Sequence, residues 1–185
     1  LVLCFGGNNG DATVTVVGGT PTYTYSWNTV PAQTNAQATG LVAGTYVGTV
    51  TDGVGCILTA TVVITEPLAL NTAITARTNP TCFGVCNGDA TSSTSGGTGA
   101  YTYSWDDPGT QTTITATGLC VGVIQIMVTD ANGCQDSATV TLTQPPALAL
   151  STIDTNVSCN LGSDGSIDLT VTGGTPTYTY AWSNS

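Results

Sequence analysis

The most informative feature of this 185-residue sequence is what it lacks. It has no histidine, no lysine and a single arginine, Arg77. Without histidine there is no Ser-His-Asp triad, no Cys-His dyad and no imidazole ligand for a metal ion. One cation is too few to clamp a phosphate group, and no P-loop or dinucleotide fingerprint follows a predicted strand. The sequence therefore predicts that the protein is not an enzyme.

Charge is also scarce and of one sign. Only 6% of the residues are charged, and the net charge is −10. Nucleic acids and anionic membranes are therefore poor partners. No apolar run approaches the roughly 20 residues that span a bilayer, so we expect no membrane insertion. The sequence starts at Leu1 rather than at methionine. This predicts either a leader removed by processing or a piece of a longer chain.

The residues that are abundant indicate strands. Threonine, valine, tyrosine and isoleucine favour β-structure, and the leucine-, glutamate- and lysine-rich runs of helical proteins are missing. Tight-turn signals such as Asn87-Gly88 and Asn132-Gly133 separate the candidate strands. The composition predicts an all-β protein.

One ten-residue phrase occurs three times and sets the period of the sequence. Its copies are GGTPTYTYSW at 18–27, GGTGAYTYSW at 96–105 and GGTPTYTYAW at 173–182. The closing tryptophans are 78 and 77 residues apart, and Cys4, Cys82 and Cys159 keep the same spacing. A period of this length is one small domain, so the sequence predicts a tandem array.

The period divides the sequence into repeats at 1–67, 68–146 and 147–185. The middle repeat contains six short strand patterns separated by Gly, Asn and Pro turns, which predicts an immunoglobulin-like β-sandwich. The first repeat lacks its opening strand, and the third has the patterns of its first three strands. A half sandwich leaves an open sheet edge, so we expect the third repeat to need a partner.

The repeated phrase carries most of the aromatic residues. Strand alternation places Tyr23, Tyr25 and Trp27 on one face. We predict that the last two aromatic residues of each phrase form the sandwich core: Tyr25, Trp27, Tyr103, Trp105, Tyr180 and Trp182. The alternative is a platform that stacks sugars, but the same phrase in every repeat is what a core requires.

The seven cysteines include no CxxC pair, so we expect disulfides in an extracytoplasmic setting rather than a zinc site. The second repeat has Cys86 and Cys120 where the first has Asn8 and Val42. Because this extra pair is present or absent together, the comparison favours Cys4–Cys56, Cys82–Cys134 and Cys86–Cys120. Each bridge is worth roughly 3–4 kcal/mol in the chain-entropy model. Sequence alone leaves the other connectivities open.

Cys159 is left over in this scheme. Its partner is expected in the other half of the third repeat, either further along the native chain or in a neighbouring subunit. A free reactive thiol is the alternative.

Other site signals are short. Asp11, Asp89 and Asp164 recur just after the first cysteine of each repeat, and Asp52 and Asp130 recur just before the last. Their oxygens are candidate calcium ligands, although Asn-Gly-Asp is also ordinary turn chemistry, which we favour. No other cofactor is expected. Asn156 begins an N-glycosylation sequon, and Ser137 lies in an Asp-Ser-Ala sequence similar to the O-glycosylation pattern of Bacteroidota.

Taken together, the motifs of one period resemble the SprB-repeat family of very large surface adhesins in gliding Bacteroidota. In the second repeat they are Cys82–Gly84, Asn87–Thr91, Gly96–Trp105, Gly118–Gly122, Val128–Cys134 and Gln144-Pro145. The resemblance implies type IX secretion, display on the outer cell surface and a role as filament, adhesin or motility thread. It supplies no catalytic residues.

Three functions follow as expectations. The leading one is a stiff, disulfide-stabilised stalk, whose partners are neighbouring repeats or copies of itself in a filament. The second is a binding module for surface glycans. The third is a pilus-like subunit, completed by strand addition at its open half domain.

Overall fold

The computed structural model describes residues 1–183, which form thirteen β-strands. Within this range there is no α-helix, and hence none long and apolar enough to cross a membrane. The strands are β1 (Gly10–Thr13), β2 (Thr24–Trp27), β3 (Gln37–Leu41), β4 (Gly44–Thr51), β5 (Ile57–Ile64), β6 (Asn71–Thr78), β7 (Gly88–Ser95), β8 (Thr102–Trp105), β9 (Thr115–Leu119), β10 (Gly122–Thr129), β11 (Gln135–Leu142), β12 (Ala149–Thr155) and β13 (Ser166–Thr172). The all-β prediction is confirmed.

The middle repeat has two three-stranded sheets. One has the order β6-β7-β9, and the other has the order β11-β10-β8. In the first sheet, β6, β7 and β9 occupy the places of immunoglobulin strands A, B and E. In the second sheet, β11, β10 and β8 occupy the places of strands G, F and C. The repeat is therefore an immunoglobulin-like sandwich of six strands.

The first repeat has the same plan without an opening strand. Its sheets are β1-β3 and β2-β4-β5. β1 has four residues, whereas its equivalent β7 has eight and pairs with the opening strand β6. A strand edge without a neighbour loses its ladder hydrogen bonds, which explains the shorter β1. The described part of the third repeat contains one antiparallel pair, β12-β13, in unbroken register from Ala149↔Thr172 to Thr155↔Ser166.

The chain divides into two compact units that do not follow the repeats. Unit 1 comprises Leu1–Thr72, Thr94–Tyr103 and Met127–Ser137. Unit 2 comprises Ala73–Ser93, Ser104–Ile126 and Ala138–Ser185. Each unit thus contains one linker between repeats, and each is described separately below. The repeat boundaries at 67/68 and 146/147 remain predictions from the sequence.

Equivalent positions form the core of the first and second repeats. Trp27 is 3% exposed and Trp105 is 1% exposed. The buried positions around them also match in pairs: Ala12 and Ala90, Ala38 and Ala116, Leu41 and Leu119, and Ile64 and Leu142. The Trp27 indole N–H donates to the Asn35 carbonyl at 3.0 Å, and the Trp105 indole donates to the Thr113 carbonyl at 2.9 Å. Each tryptophan therefore buries its ring and satisfies its one polar group.

At one pair of core positions, the small and the large residue are interchanged between the two repeats. The first repeat has Val14 with Gly48, and a Cβ on Gly48 would lie 2.8 Å from the Val14 side chain and 3.2 Å from the Trp27 ring. The second repeat has Ser92 and Ile126 at the equivalent positions, and both are buried. Each repeat combines one small and one branched apolar residue, so its core stays filled.

The prediction for the aromatic residues was only partly right. Trp27 and Trp105 are buried, but Tyr25 and Tyr103 are half-buried, so they form the rim of the core. Tyr180 and Trp182 are each 57% exposed, and predicting them as core was wrong for this chain. The reason is that the described third-repeat residues provide one two-stranded sheet, and no second sheet covers the phrase.

Replacing Trp105 with alanine should lower the free energy of unfolding by about 3–5 kcal/mol, because a large buried ring and its hydrogen bond are lost. Trp182→Ala is the matched control, since it removes the same side chain from an exposed site. It should change stability by less than about 0.5 kcal/mol. Denaturant unfolding followed by far-UV circular dichroism makes the comparison. Equal effects of the two substitutions would contradict the burial described here.

Candidate functional site

A network of polar contacts lies at the first linker, inside unit 1. It has three parts: the loop carrying the first cysteine of a repeat, the turn carrying the last cysteine, and the Gly-Gly turn that opens the aromatic phrase. We describe these as the cysteine loop (3–7), the aspartate turn (130–134) and the Gly-Gly turn (96–101).

The cysteine loop is held by side-chain oxygens from two sides. Asn9 Oδ1 accepts a hydrogen bond from the Leu3 N–H at 3.0 Å. Glu66 Oε2 accepts one from the Gly6 N–H at 2.6 Å. The loop is thereby fixed beside the end of β5, where Val2 N–H also donates to the Thr65 carbonyl.

Unit 2 repeats this loop at 81–85. Asn87 Oδ1 accepts from Thr81 N–H at 3.0 Å, and Gln144 Oε1 accepts from Gly84 N–H at 2.9 Å. The closing Glu-Pro or Gln-Pro motif is explained by this contact, because either residue supplies the acceptor oxygen.

The aspartate turn is organised by one carboxylate. Asp130 Oδ2 accepts from Thr98 N–H at 2.8 Å, while Oδ1 accepts from Asn132 N–H and Cys134 N–H, both at 2.9 Å. These backbone bonds, that of Thr98 foremost, hold the pKa of Asp130 below its ordinary value. The carboxylate thus joins the Gly-Gly turn to the turn that carries Cys134.

Asp52 makes the same arrangement in the first repeat. Its carboxylate accepts backbone hydrogen bonds from Thr20, Val54 and Cys56. The hydrogen bond from Thr20 is the largest cause of its lowered pKa. Asp52 therefore fixes the backbone of Cys56 as Asp130 fixes that of Cys134.

The Gly-Gly turn seats on the linker backbone. Gly97 N–H donates to the Leu68 carbonyl at 2.8 Å. Gly96 has φ +73°, and a Cβ there would lie 1.9 Å from the Ala69 carbonyl oxygen, so glycine is required. The Tyr101 hydroxyl donates to the Gly96 carbonyl at 2.7 Å and closes the turn. The first tyrosine of the phrase is thus a turn residue rather than a core residue.

The cysteine loop and the aspartate turn meet covalently. A disulfide joins Cys4 to Cys134, with a Cα separation of 5.7 Å. Beside it, Asn132 Nδ2 donates to the Leu3 carbonyl and to Thr98 Oγ1, both at 2.9 Å. The first cysteine of one repeat is therefore bonded to the last cysteine of the next. Closing a loop of 130 residues is worth roughly 5 kcal/mol in the chain-entropy model.

This bridge overturns two of the three predicted pairs. Cys4–Cys56 and Cys82–Cys134 were wrong, because Cys134 is bonded to Cys4. Within the first repeat the reason is geometric. Cys56 precedes β5, whereas the loop of Cys4 is fixed at the far end of that strand. Eight extended residues span about 25 Å, far beyond the 7 Å or so that a disulfide allows between Cα atoms.

The remaining cysteines follow two patterns. Cys86 and Cys120 are joined, as the comparison of the repeats paired them, and this bridge stays within the second repeat. Cys56, Cys82 and Cys159 are exposed and unbridged among the residues that the structure describes. The prediction that Cys159 pairs within the third repeat rested on the overturned pattern.

Of the candidate calcium residues, Asp164 acts as a turn residue, whereas Asp11 and Asp89 lie on strands β1 and β7. Asp164 Oδ1 accepts from Ser158 N–H at 3.0 Å, at the position equivalent to Asn9 and Asn87, and its pKa is lowered mainly by Ser158. Asp11 accepts a hydrogen bond from Gln37 Nε2, and Asp89 is half-buried on β7. Residues 1–183 contain no group of three or more Asp, Glu, His or Cys side chains arranged to hold a metal ion. The glycosylation candidates Ser137 and Asn156 are exposed and remain predictions.

Sequence reasoning missed the roles of Asn132 and Glu66 and assigned Asp52 and Asp130 only as weak cation ligands. The signal that would have found them is the repeated Asp-x-x-Gly-Cys sequence, because a carboxylate two to four residues before backbone N–H groups is a typical turn cap.

The pH dependence of stability should reveal the aspartate turn. Because the folded-state pKa of Asp130 is depressed, its carboxylate stabilises the fold at neutral pH. That contribution is lost as the pH falls from the unfolded pKa, about 3.9, through the folded pKa. Asp130→Asn should therefore be less stable than the parent at pH 7 and should lose less stability on acidification. Asp154→Asn, at an exposed position on β12, is the control. Parallel pH profiles for Asp130→Asn and the parent chain would contradict this role.

Comparison with known proteins identifies the repeats. The family model described as SprB repeat matches residues 2–32, 74–110 and 151–185, more than half of the chain. Comparison with curated proteins gave no match.

Two solved structures are similar in part. A crystal structure of the N-terminal eight Ig domains of Down syndrome cell adhesion molecule isoform 1.30.30 has 16% identity and a TM-score of 0.30, covering 80% of this chain and 25% of that one. The amphioxus IgVJ-C2 molecule has 13% identity and a TM-score of 0.31, covering 74% and 97%. The immunoglobulin-like assignment made above depends on the strand order rather than on these likenesses.

Proposed function

Because the chain belongs to the SprB repeat family, we propose that it is a stalk segment of a cell-surface adhesin or filament. SprB repeats belong to cell-surface adhesins, and the two disulfides suit an extracytoplasmic location. The observation that supports a stalk is the Cys4–Cys134 bridge. It ties successive repeats together covalently, so pulling on the chain cannot extend the residues between these cysteines.

The hydrogen bonds around the bridge support the same proposal. The linker carbonyl of Leu68 is held by Gly97, and the Leu3 carbonyl is held by Asn132. Flexible linkers between domains are rich in glycine and serine and leave their backbone free. Here the linker is Glu66-Pro67-Leu68, and a backbone contact from the following repeat fixes it. A fixed linker favours a spacer over a hinge.

Resistance to proteases is part of the proposed role. The sole basic residue, Arg77, lies within β6, and its guanidinium donates to the Thr141 carbonyl at 2.9 Å. A trypsin-like enzyme must locally unfold this strand before it can cut. A thread exposed outside the cell benefits from this lack of sites.

A glycan-binding module is less well supported. The aromatic side chains of the phrase are buried or half-buried in the first two repeats, so they offer no repeated stacking surface. Tyr180 and Trp182 are exposed, but their equivalents Tyr103 and Trp105 face the core of the complete repeat.

A pilus-like subunit has one observation in its favour. An apolar groove lined by Val14, Val16, Val50, Leu58 and Ala60 lies in the first repeat, which has no opening strand. In the second repeat, the start of the opening strand is held at the equivalent edge by the Thr72 N–H bond to Asp136. A strand from another copy would fill such a groove by strand addition. This candidate requires end-to-end assembly of the isolated chain, which analytical sedimentation measures.

A segment swap distinguishes a stalk from an adhesive module. In the native surface protein, residues 1–185 are replaced by unrelated immunoglobulin-like domains of equal length. If this segment is a stalk, surface attachment of the cells should be retained, and deletion without replacement should impair it by shortening the thread. Loss of attachment in the swapped protein, with surface display unchanged, would show that these repeats themselves bind.

A further inference from the structure

We infer that Cys82 is half of a second disulfide between repeats, and that its partner is the last cysteine of the repeat beginning at residue 147. The bridge Cys4–Cys134 would then be one rung of a ladder in which each repeat is bonded to the next. This inference rests on the proposed place of the chain in a longer tandem array. It concerns a covalent site that the stalk role alone does not require.

The first support is that Cys82 is presented as Cys4 is. Both cysteines follow a residue whose N–H donates to an asparagine side chain, from Leu3 to Asn9 and from Thr81 to Asn87. Both loops are also tied to the residue that closes the repeat, Glu66 or Gln144. The loop of Cys82 is therefore already in the conformation that the bridged Cys4 adopts.

The second support is independent of the cysteines. It is the contact between the Gly-Gly turn of the third repeat and the linker before it. Gly174 N–H donates to the Pro146 carbonyl at 2.9 Å, as Gly97 N–H donates to the Leu68 carbonyl at 2.8 Å. Gly173 has φ +72°, and a Cβ there would lie 1.9 Å from the Ala147 carbonyl oxygen, the distance found for Gly96 and Ala69. The Gly-Gly turn of the third repeat thus seats on its linker in the same register.

The position of this Gly-Gly turn on the linker determines which residues of the third repeat lie beside Cys82. At the first linker, Thr98 of the Gly-Gly turn binds the Asp130 carboxylate, and Asp130 in turn positions Cys134. Thr175 is the equivalent of Thr98, and it lines an open cavity together with Cys82, Phe83, Pro146 and Tyr178. An Asp-x-x-Gly-Cys turn bound to Thr175 would place its cysteine in this cavity, beside the Cys82 thiol.

The two cysteines differ in exposure. Cys4 is half-buried beneath the aspartate turn, whereas Cys82 is exposed. Cys56 is equivalent to Cys134, because its backbone N–H donates to Asp52 as that of Cys134 donates to Asp130. Its partner by the same rule is the first cysteine of a repeat on the N-terminal side.

The chemistry is ordinary thiol–disulfide exchange. The two thiols lose two protons and two electrons and form one S–S bond. The electrons reduce the disulfide of an extracytoplasmic thiol oxidoreductase to its dithiol, through a mixed disulfide.

The test is to map Cys82 in the native surface protein. Cells are treated with N-ethylmaleimide to block free thiols, and the protein is digested with chymotrypsin without reduction. The peptide bonded to the Cys82 peptide is then sequenced. The expected partner is a peptide with the Asp-x-x-Gly-Cys motif from beyond residue 185, and the Cys86–Cys120 link in the same digest is the control.

Several results would overturn the inference: an alkylated Cys82, or a Cys82 bonded to Cys56, Cys134 or Cys159. A series of oligomer bands on denaturing gels that appears only without reductant and is lost in Cys82→Ser would also overturn it, because the Cys82 bond would then join separate chains. As a second measurement, Cys82→Ser should expose one new alkylated thiol, at the Asp-x-x-Gly-Cys turn of the following repeat. If these repeats form a stalk without this bridge, cells carrying the segment swap would still attach. The disulfide map therefore tests the inferred bridge, and the segment swap separately tests the stalk role.

Discussion

The direction of the last strand in each repeat is the constraint on which the rest of the structure depends. β5 begins directly after Cys56 and ends beside the loop of Cys4. An extended strand cannot bend back within eight residues, so it holds the two cysteines at opposite ends of the sandwich. Any bridge from Cys4 must therefore reach a different repeat, and Cys134 is the cysteine that the chain brings there.

Several polar residues of the repeat serve this junction. Asp130 binds the Gly-Gly turn and the turn of Cys134 together, and Asn132 extends the contact to Leu3. The glycine at position 96 is required by the close approach of the linker carbonyl. Because only 6% of the residues are charged, the contacts described here are backbone hydrogen bonds and covalent bridges. These contacts keep their strength at high ionic strength, where surface ion pairs weaken.

Much of this could be predicted from the sequence because the repeats can be compared with one another. The period gave the array, the strand patterns gave the sandwich, and Trp27 and Trp105 were correctly placed in its core. The joint presence of Cys86 and Cys120 suggested their pairing, since a bridge within one repeat leaves both of its cysteines in that repeat.

The pairing of Cys4 could not be found in this way. A bridge between adjacent repeats gives every repeat one cysteine of each kind, and this is also what a bridge within each repeat would give. The two arrangements differ only in which end of the sandwich each cysteine occupies. That difference depends on the length and direction of β5 and on the Glu66 contact, which are properties of the folded chain. Likewise, the exposure of Trp182 depends on whether a second sheet covers it, whereas the aromatic residues of the phrase are the same in each repeat.

The most direct test of this account is to map the disulfides of the 185-residue chain, folded under oxidising conditions and digested with chymotrypsin without reduction. The structure predicts a linked pair of peptides carrying Cys4 and Cys134, with Cys56 and Cys82 recovered as thiols. Peptides linking Cys4 to Cys56 and Cys82 to Cys134 would contradict it. The repeats would then be separately closed domains, and the linker would have no covalent restraint.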